Sequence, residues 1–352
     1  MASGTGAQIA ITKTSSLTDP ASTDSTWHWT NFVSESIEHT LEELEEGALA
    51  GRRDAPDSHK GIDFGAGDIA LEPNPNALGH FMLGAFGISS GAVLTQAGST
   101  GTNSTDQAGL PVVQHTFTPR ATAHDSRTFL EPFGIMVYKD VGSAFVFNGS
   151  ILPGITFNFQ AGQLMNSTVQ VMARDVNRME RTAGISALAT SGGKPWIWDQ
   201  ASVEVGPGVT SLAVNGKFEA LEVSLETPHE GVVLLDGTKK YAEFQPNDFR
   251  RVNISGTMTF RDHAEYDDYI AYASKYMRIT AAQDTAAQLL GNPSSAYYYE
   301  LQLDIPQLKY LSWSTPIGGP NRLTTTFTAK GAYNSALGYN ILGKLTNIHS
   351  AY

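Results

Sequence analysis

The chain has no cysteine. Disulfides, thiolate catalysis and cysteine-ligated metals are therefore excluded. No stretch approaches the ~18 apolar residues that a membrane helix needs. Basic residues are scarce: 23 Lys and Arg stand against 35 Asp and Glu, a formal net charge of −12. A sequence-specific DNA binder draws much of its affinity from a basic face that neutralises phosphates, and none is visible. The residues after Met1 show no basic region followed by an apolar run, so no secretion signal is expected.

Catalytic and metal motifs are missing too. The 9 histidines include no His-Glu-x-x-His and no pair at metal-ligand spacing. There is no Gly-x-Ser-x-Gly and no phosphate loop ending in Gly-Lys-Ser/Thr. His59 with Asp57 and Asp63 is the nearest thing to a ligand set, in a polar loop. Gly65-Ala-Gly67 imitates a dinucleotide fingerprint but lacks the buried strand before it and the acidic partner after it, so it reads as a turn into a strand. No catalytic, cofactor or metal residue is assigned, and no enzyme is expected.

What is present is β pattern. The chain is 41% hydrophobic, and 352 residues suffice for two domains. In Arg251–Phe260 the even positions Val252, Ile254, Gly256, Met258 and Phe260 alternate with polar residues. Tyr297–Ile305 and Leu323–Ala329 alternate likewise, which puts one face on a core and one in water. Further strand signals occur at Val112–Phe117, Phe133–Tyr138, Ala144–Phe147 and from Trp196 to Val205.

A weak repeat runs through the pattern. Ala144-Phe-Val-Phe-Asn148-Gly149 with strands at Ile155–Phe159 and Val169–Val171 resembles Leu212-Ala-Val-Asn215-Gly216 with strands at Leu221–Leu225 and Val252–Phe260. It predicts a mainly β chain of two tandem sandwich or barrel domains, each with a flanking α-helix. The expected boundaries are an arm at 1–30, a first β domain at 31–175, a linker at 176–194 and a second β domain at 195–352.

Helical spacing appears three times. Ile37, Leu41, Leu44 and Ala48 share a face over residues 34–51, leaving Glu42, Glu43, Glu45 and Glu46 to water. Leu78, Phe81, Met82, Ala85 and Phe86 predict a short helix ended by Gly87. After an Asp262/Glu265 capping box, Tyr266, Tyr269, Ile270, Ala273, Tyr276 and Met277 form a stripe. Residues 88–110, small and polar, read as a loop.

Asp236-Gly237 between Gly231–Leu235 and Lys239–Phe244 is a hairpin signal. A hairpin that projects from a sandwich suits an interaction arm, and deletion of Val232–Glu243 is expected to leave a folded protein that cannot assemble. Candidate contact residues lie on it (Val232, Leu234, Asp236, Lys239, Tyr241, Phe244), on the segment Arg174, Asp175 to Lys194, and on the arm at Trp27 and Trp29. The two tryptophans pack either on their own domain or on a neighbouring subunit.

The ordered series Glu45-Glu-Gly-Ala-Leu-Ala-Gly51-Arg52-Arg-Asp, Lys60–Glu72, Leu78–Gly87, Pro195–Val205, Leu221–Leu225, Arg251–Phe260, Tyr299–Pro306 and Lys344-Leu-Thr-Asn347 resembles tail tube proteins of long-tailed bacteriophages over roughly residues 35–347. The resemblance implies a structural virion protein made in the host cytoplasm. Its subunits form rings, and the rings stack into a hollow tube through which double-stranded DNA leaves without specific binding. Its other partners would be tape-measure, tail tip and tail terminator proteins. Two copies of one fold per chain imply a trimeric ring of pseudo-sixfold symmetry rather than a hexamer, with an acidic bore that does not grip DNA. The alternatives are a tail terminator or capsid decoration protein of similar fold, and a carbohydrate-binding β-sandwich.

Overall fold

Alternating apolar and polar residues become strands here wherever one face can be buried. The computed structural model describes residues 4–21, 26–47, 57–94, 112–180, 194–283, 289–290, 297–320 and 322–352. In chain order the strands are β1 (Gln8–Lys13), β2 (His28–Thr30), β3 (Ser34–Glu35), β4 (Glu38–Glu45) and β5 (Ser58–Leu71). Helix α1 (Pro75–Phe86) follows, then β6 (Gly87–Val93), β7 (Val113–Pro119), β8 (Phe133–Tyr138), β9 (Ala144–Gln160) and β10 (Asn166–Met179). Next come β11 (Ala201–Gly206), β12 (Ala213–Val214), β13 (Phe218–Glu226), β14 (His229–Val232), β15 (Glu243–Pro246) and β16 (Arg251–Thr259). Helix α2 (Ala264–Ile270) precedes β17 (Lys275–Ala282), β18 (Leu289–Leu290), β19 (Tyr297–Tyr298), β20 (Glu300–Ser314), β21 (Thr324–Gly331) and β22 (Leu342–Asn347).

The fold is mainly β, as the alternation predicts. Antiparallel pairings run without a break through β4, β5, β10, β9, β13, β16, β21 and the end of β20. The start of β20 carries the ladder into a second layer, pairing with β17 and β22; β22 continues to β7 and β6, and β17 to β11. The first layer turns Ile155, Phe157, Leu221, Val223, Leu225, Val252, Ile254, Phe327 and Ala329 inward, all buried.

Helix α1 packs on β9, β7 and β22 and is buried at 11 of its 12 positions. The side chain of Asn74 accepts from the Asn76 N–H at its start, and Gly87 ends it at φ 90°, a left-handed cap that glycine adopts without strain. At Gly84 a Cβ would lie 2.4 Å from Leu152 Cδ1, so glycine is what lets helix and sheet approach.

Four expectations need correction. Residues 34–47 form β3 and β4 against β5, not a helix. The register slips between Leu41 and Glu43. The extra residue of this bulge lies on β5, so Leu41 and Leu44 fall on opposite sides of an exposed strand, and their three-residue spacing only imitates helical periodicity. The stripe after Asp262 also breaks: α2 ends at Ile270, and Tyr276 and Met277 lie in β17. No capping box forms, because the Glu265 carboxylate binds Lys217 Nζ at 2.8 Å instead of reaching back along the helix. Residues 88–93 of the expected loop belong to strand β6, while 95–110 lie outside the described residues. Gly65-Ala-Gly67 lies within β5, and the Asn-Gly pairs differ in setting: Gly149 bulges inside β9 at φ 57°, whereas Asn215-Gly216 joins β12 to β13.

A core this continuous should be sensitive to truncation. Phe81→Ala, at a fully buried position of α1, is expected to destabilise by about 3–5 kcal/mol, read as a lowered urea midpoint at unchanged slope.

Candidate functional site

The outer face of the first layer is the most distinctive surface. Strand alternation that buries Leu221, Val223 and Leu225 turns Glu222, Ser224 and Glu226 outward. Their neighbours match in kind across the ladder. Asn158 lies opposite Glu222, Glu222 opposite Ser255, Ser255 opposite Thr328, and Thr328 opposite Ser312. Hydroxyls and amides knit these rows: Thr156 Oγ1 donates to Ser224 Oγ at 3.1 Å, Ser224 to Glu226 Oε1 at 3.1 Å, and Ser312 and Thr328 share a bond of 2.6 Å. The face forms an open concavity lined by Asn158, Gln160, Glu222, Ser255, Thr257, Thr326 and Thr328. It is mostly uncharged, with Asp68, Glu222 and Glu226 on it and Lys330 and Arg251 toward one end.

Both lateral ends of this layer are free edges among the described residues. β4 pairs only with β5, and past Leu308 β20 pairs only with β21. Leu41 and Leu44 on β4 are 54% and 57% exposed, and Leu311 on β20 is 47% exposed. Edge strands with open backbone groups and exposed leucines are templates for another strand. Glu38, Glu42, Glu43 and Glu45 charge the β4 edge, while Lys309 and Lys330 lie opposite one another near the other edge.

The hairpin exists, as β14 paired with β15, but it does not project. From Lys239 to Phe244 it is docked on the first half of the chain. The Lys239 carbonyl accepts from Asp63 N–H at 2.8 Å, and the Phe244 N–H donates to Arg127 O at 2.9 Å. Arg174 Nε donates to the Tyr241 carbonyl at 2.7 Å, and Lys240 pairs with Asp175 at 2.5 Å. Tyr241 packs on Phe64. Phe244 is fully buried with Leu17, Leu130 and Ile151, so its ring belongs to the core and not to a contact surface. Arg174, Asp175, Tyr241 and Phe244 therefore meet, but as the hairpin's anchor. Val232 and Lys239 lie at the margin, and Leu234, Leu235 and Asp236 stand at the exposed tip, Leu235 wholly in solvent. Asp236 is held below the usual carboxylate range by hydrogen bonds from Thr238.

Trp27 and Trp29, half-buried, pack on Ala10, Ala21, Met136 and Val146 of their own chain. Lys194 is exposed and distant from the hairpin in the sequence; the rest of its segment from 181 lies outside the described residues. His59, Asp57 and Asp63 do not converge as a ligand set. His59 faces Glu46 at 3.6 Å, and Asp63 takes hydrogen bonds from Lys60 and His39 that outweigh burial and lower its pKa. Sequence reading missed the edge at β4, whose apolar residues do not alternate, and the edge at the end of β20, which carries no marker in the pattern.

A layered β chain whose conspicuous surfaces are a polar concave face and two open strand edges has the form of a structural protein. The chain belongs to the phage tail tube protein family, whose sequence model matches residues 4–332. It is thus a virion component with a structural role in the tail tube. A search of curated proteins gives no match.

The tip and the anchor of the hairpin separate experimentally. Leu234→Ser with Leu235→Ser is expected to move stability by under about 0.5 kcal/mol while shortening or abolishing tubes in negative-stain images. Tubes of normal length would dismiss the tip as a contact. Phe244→Ala, in contrast, is expected to cost about 3–5 kcal/mol in thermal or urea unfolding.

Proposed function

We propose that three copies of this chain close into a ring, that rings stack into a tube, and that the polar concave face lines a bore through which DNA passes. The observation that carries this reading is the β9–β13 ladder, in which Gly154–Gln160 pairs with Ala220–Glu226.

The ladder joins two sets of strands of like order. In the first set β4 pairs with β5, β5 with β10 and β10 with β9. In the second, β13 pairs with β16, β16 with β21 and β21 with the end of β20. In both, a helix follows the second strand of the set, α1 after β5 and α2 after β16. The sets read as two copies of one domain, with β4 matching β13 and β9 matching β20. The contact of β9 with β13 inside the chain then supplies the pattern for a contact between chains: the end of β20 pairs with β3 and β4 of the next copy. Charge supports it, since the acidic β4 edge would meet the side that carries Lys309 and Lys330. Closure removes both free edges.

Barrel size favours three copies. At about 4.8 Å between strands and ~40° tilt, ~24 strands give a backbone diameter near ~48 Å. Side chains leave roughly 38 Å, ample for a hydrated duplex of about 20 Å. Two copies would leave only ~22 Å, and six would open a channel near ~90 Å. A lining of hydroxyls and amides offers phosphates hydrogen-bonding partners like water and few cations, so DNA releases few counterions and is not held. The bore is neutral more than acidic on this reading.

Because the chain lacks cysteine, crosslinking has no background. Leu44→Cys combined with Leu311→Cys, treated with a short bis-maleimide after assembly, is expected to give dimers and a terminal trimer on denaturing gels. A ladder that continues to six would refute trimeric closure, and no crosslink in formed tubes would refute the edge contact.

A further inference from the structure

We infer that His28, His80 and His349 form a binding site for a late first-row divalent metal ion such as zinc. The three come from β2, from α1 and from the segment after β22. Their nearest ring nitrogens all lie within 4.8 Å of one another. Three points with that spacing share a centre no more than about 2.8 Å from each, and a zinc–imidazole bond is about 2.0–2.1 Å. A contraction of under about 1 Å per ring, with His28 and His80 turning out of their stack so that their in-plane lone pairs converge, completes the ligand set.

The rings sit in one aromatic cluster, with Tyr352 packed against His80 and His349. His28 stacks on His80 at 4.1 Å, and His349 meets both edge-on at 5.4 and 5.2 Å. His80 is 5% exposed, and its Nε2 is buried without a hydrogen-bond partner. A buried nitrogen left unpaired is costly unless a ligand takes it. Burial lowers the pKa of all three, which keeps the rings neutral and their lone pairs available.

Supporting groups are in place. His115 Nε2 donates to the His349 carbonyl at 2.8 Å, and Tyr352 OH donates to Asn76 O at 2.9 Å, so the C-terminal segment is fixed over α1. Imidazole donors suit zinc, copper, nickel and cobalt and do not suit magnesium or calcium. Three protein ligands leave the fourth position of a tetrahedral ion to water, on the side where His28 and His349 are partly exposed. The ion would clasp the start of the chain, the core helix and the C-terminal segment together.

The test is calorimetric titration of zinc chloride into the untagged full chain after dialysis against EDTA, with cobalt(II) absorption as a second readout. One ion per chain is expected, with the visible bands of tetrahedral cobalt and a melting temperature raised by zinc. His80→Gln and His349→Gln should each weaken binding at least about tenfold, while His59→Gln leaves it unchanged. If His80→Gln misfolds by circular dichroism, the half-exposed His349 decides alone. No uptake at ~100 µM zinc, or uptake unaffected by His349→Gln, overturns the site.

Discussion

The antiparallel ladder between Gly154–Gln160 of β9 and Ala220–Glu226 of β13 is the constraint on which the rest of the structure depends. It makes one layer out of strands that lie far apart in the sequence. Register follows from it. Val223 opposite Phe157 and Leu225 opposite Ile155 stay on the core side, so Ser224 opposite Thr156 and Glu222 opposite Asn158 must face out. A slip of one residue would exchange an apolar row for a polar one across the whole junction. The polar face is therefore continuous because the core is continuous, and neither could change alone.

Legibility in the sequence tracked how cleanly each strand is half-buried. β16 and β21 were readable because Val252, Ile254, Phe327 and Ala329 alternate with residues in water. Helix α1 was readable because its apolar stripe and its Gly87 stop agree. β4 was not, since an edge strand wet on both faces has no reason to alternate, and its Leu41 and Leu44 happen to fall at a helical spacing. The histidine cluster was invisible for another reason. Residues 28, 80 and 349 meet only through the pairing of β1 with β2, the packing of α1 and the path of the last residues, none of which leaves a local motif. The hairpin's turn was legible, its docking was not, because Arg174 and Asp175 carry no mark of their partners at Tyr241 and Lys240.

The docked hairpin distinguishes the two sets of strands physically. β5 receives Lys239 and Tyr241 of the hairpin that connects β13 to β16. The connection from β4 to β5 spans only residues 46–57 and has no comparable length. Any surface built from the hairpin tip would therefore occur once per chain and not once per set of strands.

The placement of charge argues for the same division of labour. A net charge of −12 opposes non-specific association of the chain. On the β4 edge, carboxylates oppose association with another acidic edge but suit an edge that carries lysines. As the proposed lining of a bore, the concave face needs the opposite property. Even a few unpaired lysines per ring, repeated along a tube, would hold DNA by counterion release, with an affinity that grows with every phosphate neutralised. Arg251 on that face is already paired with Asp248, whereas Lys330 lies at its end toward the β20 edge, where on the proposed ring the β4 carboxylates of the next copy would meet it. Serine, threonine and asparagine meet the requirement because each exchanges hydrogen bonds with water at almost no net gain. On the proposed tube, acid at the edge and neutral polarity on the face would answer two problems, specific joining and passage without binding, on strands of one sheet.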